Sequence, residues 1–277
     1  NMRTVGEEIV IGSDGANPLS NAPRVIIAVL LAAGIWLTIS TTMGLPVSTS
    51  QSMVGAVVGA GLLLSYVQVG GVSASIQLGT IGAIAISWVL SPMFAALLAF
   101  AISKAMAPLL RRIRNIILLN RVLITLIIVA AAATAYANGA NDVGASTGVI
   151  YAFFRGSTDN SLKILIGLFG GIGLTVGVLT YSRKVLHTVS AGITKLDALS
   201  AFAAQMSAAI TVLSFVQLRI PVSITQAIVG AIVGAGLVKG VTAVNRRKLG
   251  RIGIAWAIGP VITCVLSIVL GWLLLKL

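Results

Sequence analysis

The stretch that decides the fold occurs twice in this chain. Its first copy, residues 46–63, reads PVSTSQSMVGAVVGAGLL, and its second copy, residues 221–238, reads PVSITQAIVGAIVGAGLV. Twelve of the 18 positions are identical at an offset of 175 residues, and the match continues downstream, where Trp88–Pro92 parallels Trp256–Pro260. Internal repeats of this kind are typical of membrane transporter folds. The sequence therefore predicts two related halves, each containing one copy of the segment.

The composition is that of an integral membrane protein. Of the 277 residues, 57% are hydrophobic and 9% are charged, whereas a soluble domain usually carries about 25% charge. Because a spanning helix needs about 20 mostly apolar residues, the chain has room for about seven to nine spans. We predict an all-α, multi-pass protein of the cell membrane, in contact with the lipid bilayer. The net charge of +13 does not indicate nucleic-acid binding, because the basic residues cluster between apolar runs and form no basic domain.

Each copy of the repeat begins with a polar segment and continues as a short, glycine-rich apolar segment. About 17 apolar residues are few for a complete span, so we predict two re-entrant helical hairpins, at 46–64 and 221–238. The start of a helix offers free N–H groups and the positive end of the helix dipole, which bind anions. Ordinary N-capping by serine and threonine is the alternative. The predicted anion-binding side chains are Ser48, Ser50, Gln51, Ser223, Thr225 and Gln226.

Basic residues in the loops predict how the two repeats are oriented. Residues 65–77, which follow the first copy, are uncharged, whereas residues 239–251, which follow the second, are strongly basic. Because basic loops face the cytoplasm, this difference predicts inverted repeats, with 104–121 and 239–251 on the cytoplasmic side. We place the first repeat at 1–114, without its opening helix, and the second repeat at 115–277.

One carboxylate, that of Asp142, lies deep within an apolar stretch, where it costs about 2.5–3.5 kcal/mol on insertion scales. It belongs to residues 138–148, which read NGANDVGASTG. The glycines predict a broken helix, and the amide and carboxylate oxygens suit a hard cation. We predict that Asn138, Asn141 and Asp142 bind a hard cation, with Asp142 as the metal ligand if that cation is Na⁺. A buried polar network that only holds helices together is the alternative.

Other reactive groups are few. His187 is the one histidine and Cys264 the one cysteine, which excludes a multi-histidine metal site and an internal disulfide. No nucleotide-binding loop, zinc signature or nucleophile elbow occurs in the sequence. We therefore expect a protein that is not an enzyme and that has no cofactor apart from a bound ion such as Na⁺.

These segments resemble the PiT family of inorganic phosphate transporters. Residues 139–143, GANDV, are similar to the start of the family's GANDVANA signature, and the segments at 46–51 and 221–226 are similar to its PVSTTH-type hairpins. Two differences concern the site: Gly144-Ala145-Ser146 replaces the usual Ala-Asn-Ala, and glutamine replaces the frequent histidine in both hairpins. A counterpart of the signature in the first repeat is expected before residue 1.

The resemblance implies inverted repeats, two re-entrant hairpins and a central phosphate site. It also implies import of inorganic phosphate coupled to Na⁺ or H⁺, by a homodimer. Asn141 and Asp142 would serve the cation, and Asn141 would also contact phosphate together with the hairpin side chains. Two alternatives stay open: a transporter of the same fold for another oxyanion such as sulfate, and a non-transporting membrane protein that senses the anion or serves as a structural partner.

Overall fold

The protein is a bundle of long helices with one small sheet. A computed structural model describes residues 4–12, 18–67, 74–154, 160–194, 196–240 and 244–277. Its α-helices are α1 Pro23–Thr42, α2 Thr49–Val67, α3 Leu78–Arg111, α4 Ile116–Asn138, α5 Gly144–Phe153, α6 Asn160–Gly192, α7 Ala198–Gln217, α8 Ile224–Leu237 and α9 Arg246–Lys276. Strands β1 (Val10–Gly12) and β2 (Ala74–Ile76) pair antiparallel. Seven helical stretches of the described chain are long and apolar enough to cross a membrane. The predicted all-α, multi-pass architecture is confirmed.

The repeated segments form the second arms of two helical hairpins. Residues 43–48 join α1 to α2, and residues 218–223 join α7 to α8. Proline stands in each turn, at 46 and 221, because it has no N–H with which to continue the preceding helix. Each hairpin is therefore larger than predicted: the segments at 46–64 and 221–238 each contain one helix, and the other arm is the helix before it. The re-entrant character of the hairpins stays a prediction.

Glycines allow each repeated helix to pack against a long helix of the other half. Gly55 of α2 lies against Pro260 of α9 so closely that a Cβ would meet the proline carbonyl oxygen. Gly230 of α8 lies against the carbonyl oxygen of Pro92 of α3 in the same way. Gly55 and Gly230 are equivalent positions of the repeat, as are Pro92 and Pro260. The two halves therefore interlock through contacts that are related by exchange of the halves.

Helix α3 shows that the two hairpins point in opposite directions. It begins just after β2, which is hydrogen-bonded to Ser65 near the C-terminal end of α2. Part-way along α3, the Ser87 hydroxyl lies 3.3 Å from the carbonyl oxygen of Pro221, in the turn of the second hairpin. The last turn of α3 and the C-terminal end of α8 line one cavity through Arg111 and Lys239. Because α3 runs from the end of α2 to the end of α8, the repeats are inverted.

The basic segments lie together, as the loop charges predicted. Arg111 and Lys239 border the same cavity, so the segments that contain them are on one side of the bundle. The assignment of that side to the cytoplasm stays a prediction, and residues 68–73 and 241–243 of the two compared loops lie outside the described residues. The boundary between the repeats at 114/115, which falls in the connection between α3 and α4, also stays a prediction.

Each hairpin has its own apolar core. One core contains buried side chains of α1 and α2, together with Ile84 of α3 and Val149 of α5. The other contains buried side chains of α7 and α8, together with Ala99 of α3 and Ile252 of α9. Outside these cores, α4 and α6 expose large apolar side chains such as Ile128 and Phe169. An apolar exterior of this kind suits contact with lipid.

Candidate functional site

The turns of the two hairpins contact each other directly. The Ser50 hydroxyl donates a hydrogen bond to the Val222 carbonyl oxygen at 2.8 Å, and the Thr225 hydroxyl donates one to the Val47 carbonyl oxygen at 3.1 Å. Ser50 and Thr225 are equivalent positions of the repeat, as are Val47 and Val222. The two bonds are therefore reciprocal, and they hold the starts of α2 and α8 beside each other.

Asn141 occupies the junction of the two turns, and it is fully buried. Its Nδ2 lies 2.8 Å from the Val222 carbonyl oxygen and 3.2 Å from the Ser50 hydroxyl. Its Oδ1 accepts a hydrogen bond from the Val222 N–H at 3.3 Å. One amide thus binds both polar groups of a single backbone residue in the second hairpin and also contacts the first. The structure therefore brings Asn141 together with both hairpins, whereas its binding of phosphate or a cation stays a prediction.

Asp142 lies next to this junction with 7% of its surface exposed. Its Oδ1 is 2.8 Å from Asn141 Nδ2, and the side chain of Thr49 lies next to its carboxylate. Sequence reasoning missed Thr49. The equivalent residue of the second copy is Ile224, which has no hydroxyl, so the repeat gave no signal there. The available signal was the position of Thr49 in the same helical turn as Ser50.

The helix is continuous through the Asp142 motif. Gly139–Val143 form a π-helical segment between α4 and α5, and the flanking Asn138 and Gly144 keep helical dihedral angles. The predicted break is therefore a change of helical pattern in a continuous helix and not an unwound segment. Glycine permits unwinding but does not force it, and membrane-embedded backbone groups need internal partners. Such π-helical insertions are frequent at functional sites.

The four predicted hydroxyl groups of the hairpins already have partners. Ser48 and Ser223 accept hydrogen bonds from backbone N–H groups three residues later, at 3.2 and 3.1 Å, as N-capping residues do. Ser50 and Thr225 donate across the junction. Capping, the alternative considered for these residues, is therefore present in both hairpins. Direct contact of the four hydroxyls with an anion stays a prediction.

The amide side chains at the site are buried and only partly satisfied. Gln51 and Gln226 are each 4% exposed. Within the described residues, Gln226 Oε1 and Asn138 Oδ1 have no hydrogen-bond partner. Buried polar atoms without a partner are few in folded proteins and need an explanation such as a bound ion or water. Their proposed contacts with phosphate and a cation stay predictions.

Asp142 is not part of a cluster of metal-binding side chains within the described residues. The described part of the chain contains no group of three or more histidine, cysteine, aspartate or glutamate residues that could hold a metal ion. A cation at this site would therefore rely on the Asp142 carboxylate together with amide, hydroxyl and carbonyl oxygens. Oxygen ligands of this type suit hard cations.

Two inverted hairpins whose turns meet beside a buried carboxylate, within a bundle of membrane spans, define an inverted-repeat membrane transporter. The sequence model of the phosphate transporter family matches residues 2–120 and 117–267. The chain therefore belongs to the phosphate transporter family, and the predicted resemblance is confirmed.

Individual relatives agree with this assignment. A solved structure described as the sodium-dependent phosphate transporter superposes with a TM-score of 0.81 at 25% sequence identity, over 100% of this chain and 85% of that chain. Relatives with the name "Putative phosphate permease" include one from Pyrococcus abyssi, 27% identical over 97% of this chain and 83% of its own length. Another, from Helicobacter pylori strain J99, is 30% identical over 83% of this chain and 57% of its own length.

Proposed function

We propose that this chain imports inorganic phosphate by secondary active transport, with phosphate bound where the two hairpin turns meet and Na⁺ or H⁺ as the coupling cation. The observation that carries the proposal is the arrangement of the two hairpin turns. They are hydrogen-bonded to each other and to Asn141, which lies next to the Asp142 carboxylate. Membership of the phosphate transporter family supports phosphate as the substrate.

The starts of α2 and α8 supply the attraction for an anion. Each helix start has backbone N–H groups without intrahelical partners and carries the equivalent of about half a positive charge. The reciprocal bonds of Ser50 and Thr225 place these two starts side by side. None of the side chains named at the site is basic, so two helix dipoles, backbone N–H groups and a bound cation provide the positive field for the oxyanion.

The Asp142 carboxylate explains why a cation has to accompany phosphate. Two negative charges 4 Å apart repel by about 4 kcal/mol at an effective dielectric constant of 20, so Asp142 alone disfavours the anion. A monovalent cation on Asp142 cancels this repulsion and thereby couples the binding of the two solutes. Asn138 Oδ1 and Gln226 Oε1 are buried acceptors that suit Na⁺. The sodium-dependent structural neighbour makes Na⁺ the first cation to test.

We also propose that the protein works as a homodimer in the bilayer. The helices α4 and α6 expose apolar side chains such as Ile128 and Phe169, which would contact lipid or a second copy. Mass determination of the protein in lipid nanodiscs tests this part. A mass of one copy per nanodisc at all protein concentrations contradicts the dimer.

Uptake of radiolabelled phosphate into proteoliposomes tests the transport proposal. An inward Na⁺ gradient at equal pH and an inward proton gradient without Na⁺ are imposed separately, with protein-free liposomes as the control. We expect one gradient to drive phosphate accumulation that a tenfold excess of sulfate does not inhibit. Uptake of sulfate in place of phosphate, or phosphate binding without uptake under either gradient, contradicts the proposal and favours another oxyanion or a sensor.

A further inference from the structure

Trp256 of α9 holds the turn of the first hairpin. Its indole Nε1–H donates a hydrogen bond of 2.7 Å to the carbonyl oxygen of Pro46. Pro46 lies two residues before Ser48, which caps α2. The bond therefore connects a long helix of the second half to the residues that position the start of α2 at the site.

Trp88 of α3 is the equivalent residue in the first half, and Pro221 is the equivalent of Pro46. Exchange of the halves would give a bond between Trp88 Nε1 and the Pro221 carbonyl oxygen. Instead, Trp88 Nε1 is buried without a hydrogen-bond partner in the described part of the chain. The Pro221 carbonyl oxygen is approached by the Ser87 hydroxyl, at 3.3 Å, while the same hydroxyl makes a 2.6 Å hydrogen bond to the carbonyl oxygen of Ile84. The groups for a second hydrogen bond of this kind are therefore present, but Trp88 and Pro221 do not form it in this structure.

The difference does not come from a missing group. Both tryptophans are present, each is packed against the core of the hairpin in its own half, and both prolines present a carbonyl oxygen in a turn. A buried N–H without a partner is unfavourable, so a state in which Trp88 is bonded would relieve this cost. In transporters with inverted repeats, alternating access comes largely from movement of one repeat against the other around a fixed site, so contacts between the two halves differ between the access states.

We propose that Trp256 and Trp88 are alternating positioning residues for the two hairpin turns. In the state described here, Trp256 is bonded to Pro46 and Trp88 is released. In the state that opens to the other side of the membrane, Trp88 is bonded to Pro221 and Trp256 is released. This proposal rests on the proposed transport function. It identifies two hydrogen bonds that form and break in alternation during the transport cycle.

Phenylalanine substitutions test the two bonds because they keep an aromatic ring and remove the N–H. A net hydrogen bond changes an equilibrium by about fivefold. Trp256→Phe is therefore expected to shift the ratio of the two states about fivefold towards the Trp88-bonded state, and Trp88→Phe to shift it equally in the opposite direction. Trp272→Phe is the matched control, since Trp272 lies near the end of α9, is 45% exposed and has its ring over Lys276 instead of at a hairpin turn.

Fluorine NMR of protein labelled with fluorotryptophan measures the ratio directly. The three substitutions assign three of the four tryptophan signals, and the fourth belongs to Trp36. Spectra are recorded in nanodiscs without solutes, with Na⁺, and with Na⁺ plus phosphate. We expect the Trp88 and Trp256 signals to change in opposite directions between conditions, and the Trp272 signal to stay constant. If Trp256→Phe does not fold, the Trp88 signal of the wild type still shows whether Trp88 becomes hydrogen-bonded when solutes are added. Trp88→Phe assigns that signal, and it removes no hydrogen bond of the state described here.

Uptake assays separate this proposal from the transport proposal. Both Trp88→Phe and Trp256→Phe should lower the maximal rate of phosphate uptake several-fold with a smaller change in KM, because the cycle needs both states. Wild-type uptake with Trp88 and Trp256 signals that stay fixed, or that move together, overturns the alternating bonds and leaves transport intact. Trp256→Phe that matches Trp272→Phe in both assays overturns the proposal as well. Absence of wild-type uptake contradicts transport, and the NMR spectra then still decide about the exchange.

Discussion

The two hairpins are built from nearly the same sequence, and they use it alike for packing but differently for chemistry. Ser48 and Ser223 cap their helices, and Ser50 and Thr225 bind across to the opposite turn. The two copies differ at the position between these residues. Thr49 lies next to the Asp142 carboxylate, whereas the equivalent Ile224 is apolar. Symmetry thus determines where the hairpins lie, and single substitutions determine which of them serves the buried charge.

The turns show the same division between shared geometry and different residues. Gly44 in the first turn and Arg219 in the second are equivalent positions, and both have positive φ, at 70° and 61°. Glycine adopts this conformation without steric cost, whereas arginine is strained by about 1–2 kcal/mol. The fold therefore imposes the backbone conformation of the turn even where the local sequence disfavours it.

The largest expected effect comes from removing the negative charge of Asp142, which lies beside the Thr49 hydroxyl of the first hairpin. Asp142→Asn should reduce cation-driven phosphate uptake by about 100-fold or more, because it removes the anionic ligand of the proposed cation site. Thr49→Val should reduce it by about fivefold, because it replaces the hydroxyl group beside the carboxylate by a methyl group. Ile224→Val is the matched control and should leave uptake unchanged. Driven uptake that survives Asp142→Asn excludes this carboxylate as the coupling group.

The close helix contacts should be equally sensitive in the two halves. Gly55→Ala and Gly230→Ala each place a Cβ against a proline carbonyl, and overpacking of this kind costs about 1–3 kcal/mol. Thermal unfolding in detergent should give a lower midpoint for both variants. Gly171→Ala in α6 serves as the control, because its Cβ would enter open space, and it should be neutral or stabilising. A large effect at only one of the two contacts argues against equivalent packing.

The reciprocal bonds between the turns should be unequal in strength. Thr225→Val removes one hydrogen bond and should cost about 1 kcal/mol of unfolding free energy. Ser50→Ala should cost more, because the Ser50 hydroxyl also lies 3.2 Å from Asn141 Nδ2. Denaturant unfolding of the two variants measures the difference. Equal costs mean that Asn141 does not depend on Ser50.

The first arms of the hairpins begin differently, and pH should reveal it. Asp197 caps α7 by accepting from the Ser200 N–H at 2.8 Å, whereas the N-cap position of α1 is Ala22, which provides no side-chain cap. Burial raises the pKa of Asp197, but hydrogen bonds from Ser200 and the nearby Lys239 outweigh this effect and leave the pKa below its usual value. The carboxylate therefore contributes stability that is fully present above its unfolded pKa of about 3.9 and is lost as the pH falls through the lower folded pKa.

Replacement of this cap tests the assignment. Asp197→Ala should cost about 1 kcal/mol at pH 7 and should remove the loss of stability below about pH 4. Ala22→Ser offers α1 a cap that it lacks, so it should be neutral or stabilising. Unfolding midpoints measured from pH 7 to pH 3 compare the variants with the wild type. An unchanged acid transition in Asp197→Ala assigns that transition to other groups.

The smallest expected effect concerns the strained turn. Arg219→Gly relieves the strain of positive φ but increases the conformational entropy of the unfolded chain, so we expect a net stabilisation below about 1 kcal/mol. Gly44→Ala should be destabilising, since it introduces the strain and brings its Cβ to 3.3 Å from the Thr188 hydroxyl. Unfolding midpoints decide both cases. Destabilisation by Arg219→Gly would mean that the arginine side chain has contacts that outweigh the strain.

Much of the fold was readable because the evidence for it is local. Membrane helices follow from runs of apolar residues, the turn and second arm of each hairpin from proline and glycine in the repeated segment, and the inversion from basic residues in the loops. The pairing of α2 with α9 and of α3 with α8 was not readable. Those contacts join residues that are far apart in the chain, such as Gly55 with Pro260 and Gly230 with Pro92, and nothing in either segment specifies its partner.

The candidate site shows the same limit at the level of single atoms. The sequence singled out Asn141 and Asp142, since a buried carboxylate is costly wherever it occurs, and it singled out the polar starts of the two repeated helices. By itself it therefore determined the class of protein, the internal repeat and the main candidate residues of the site. Only the tertiary structure decided that Asn141 binds the backbone of Val222, that Thr49 and not Ile224 faces Asp142, and that Trp256 is bonded while Trp88 is not. The physical reason is that hydrogen bonds depend on distances of about 3 Å between groups that the chain brings together only after its helices have packed.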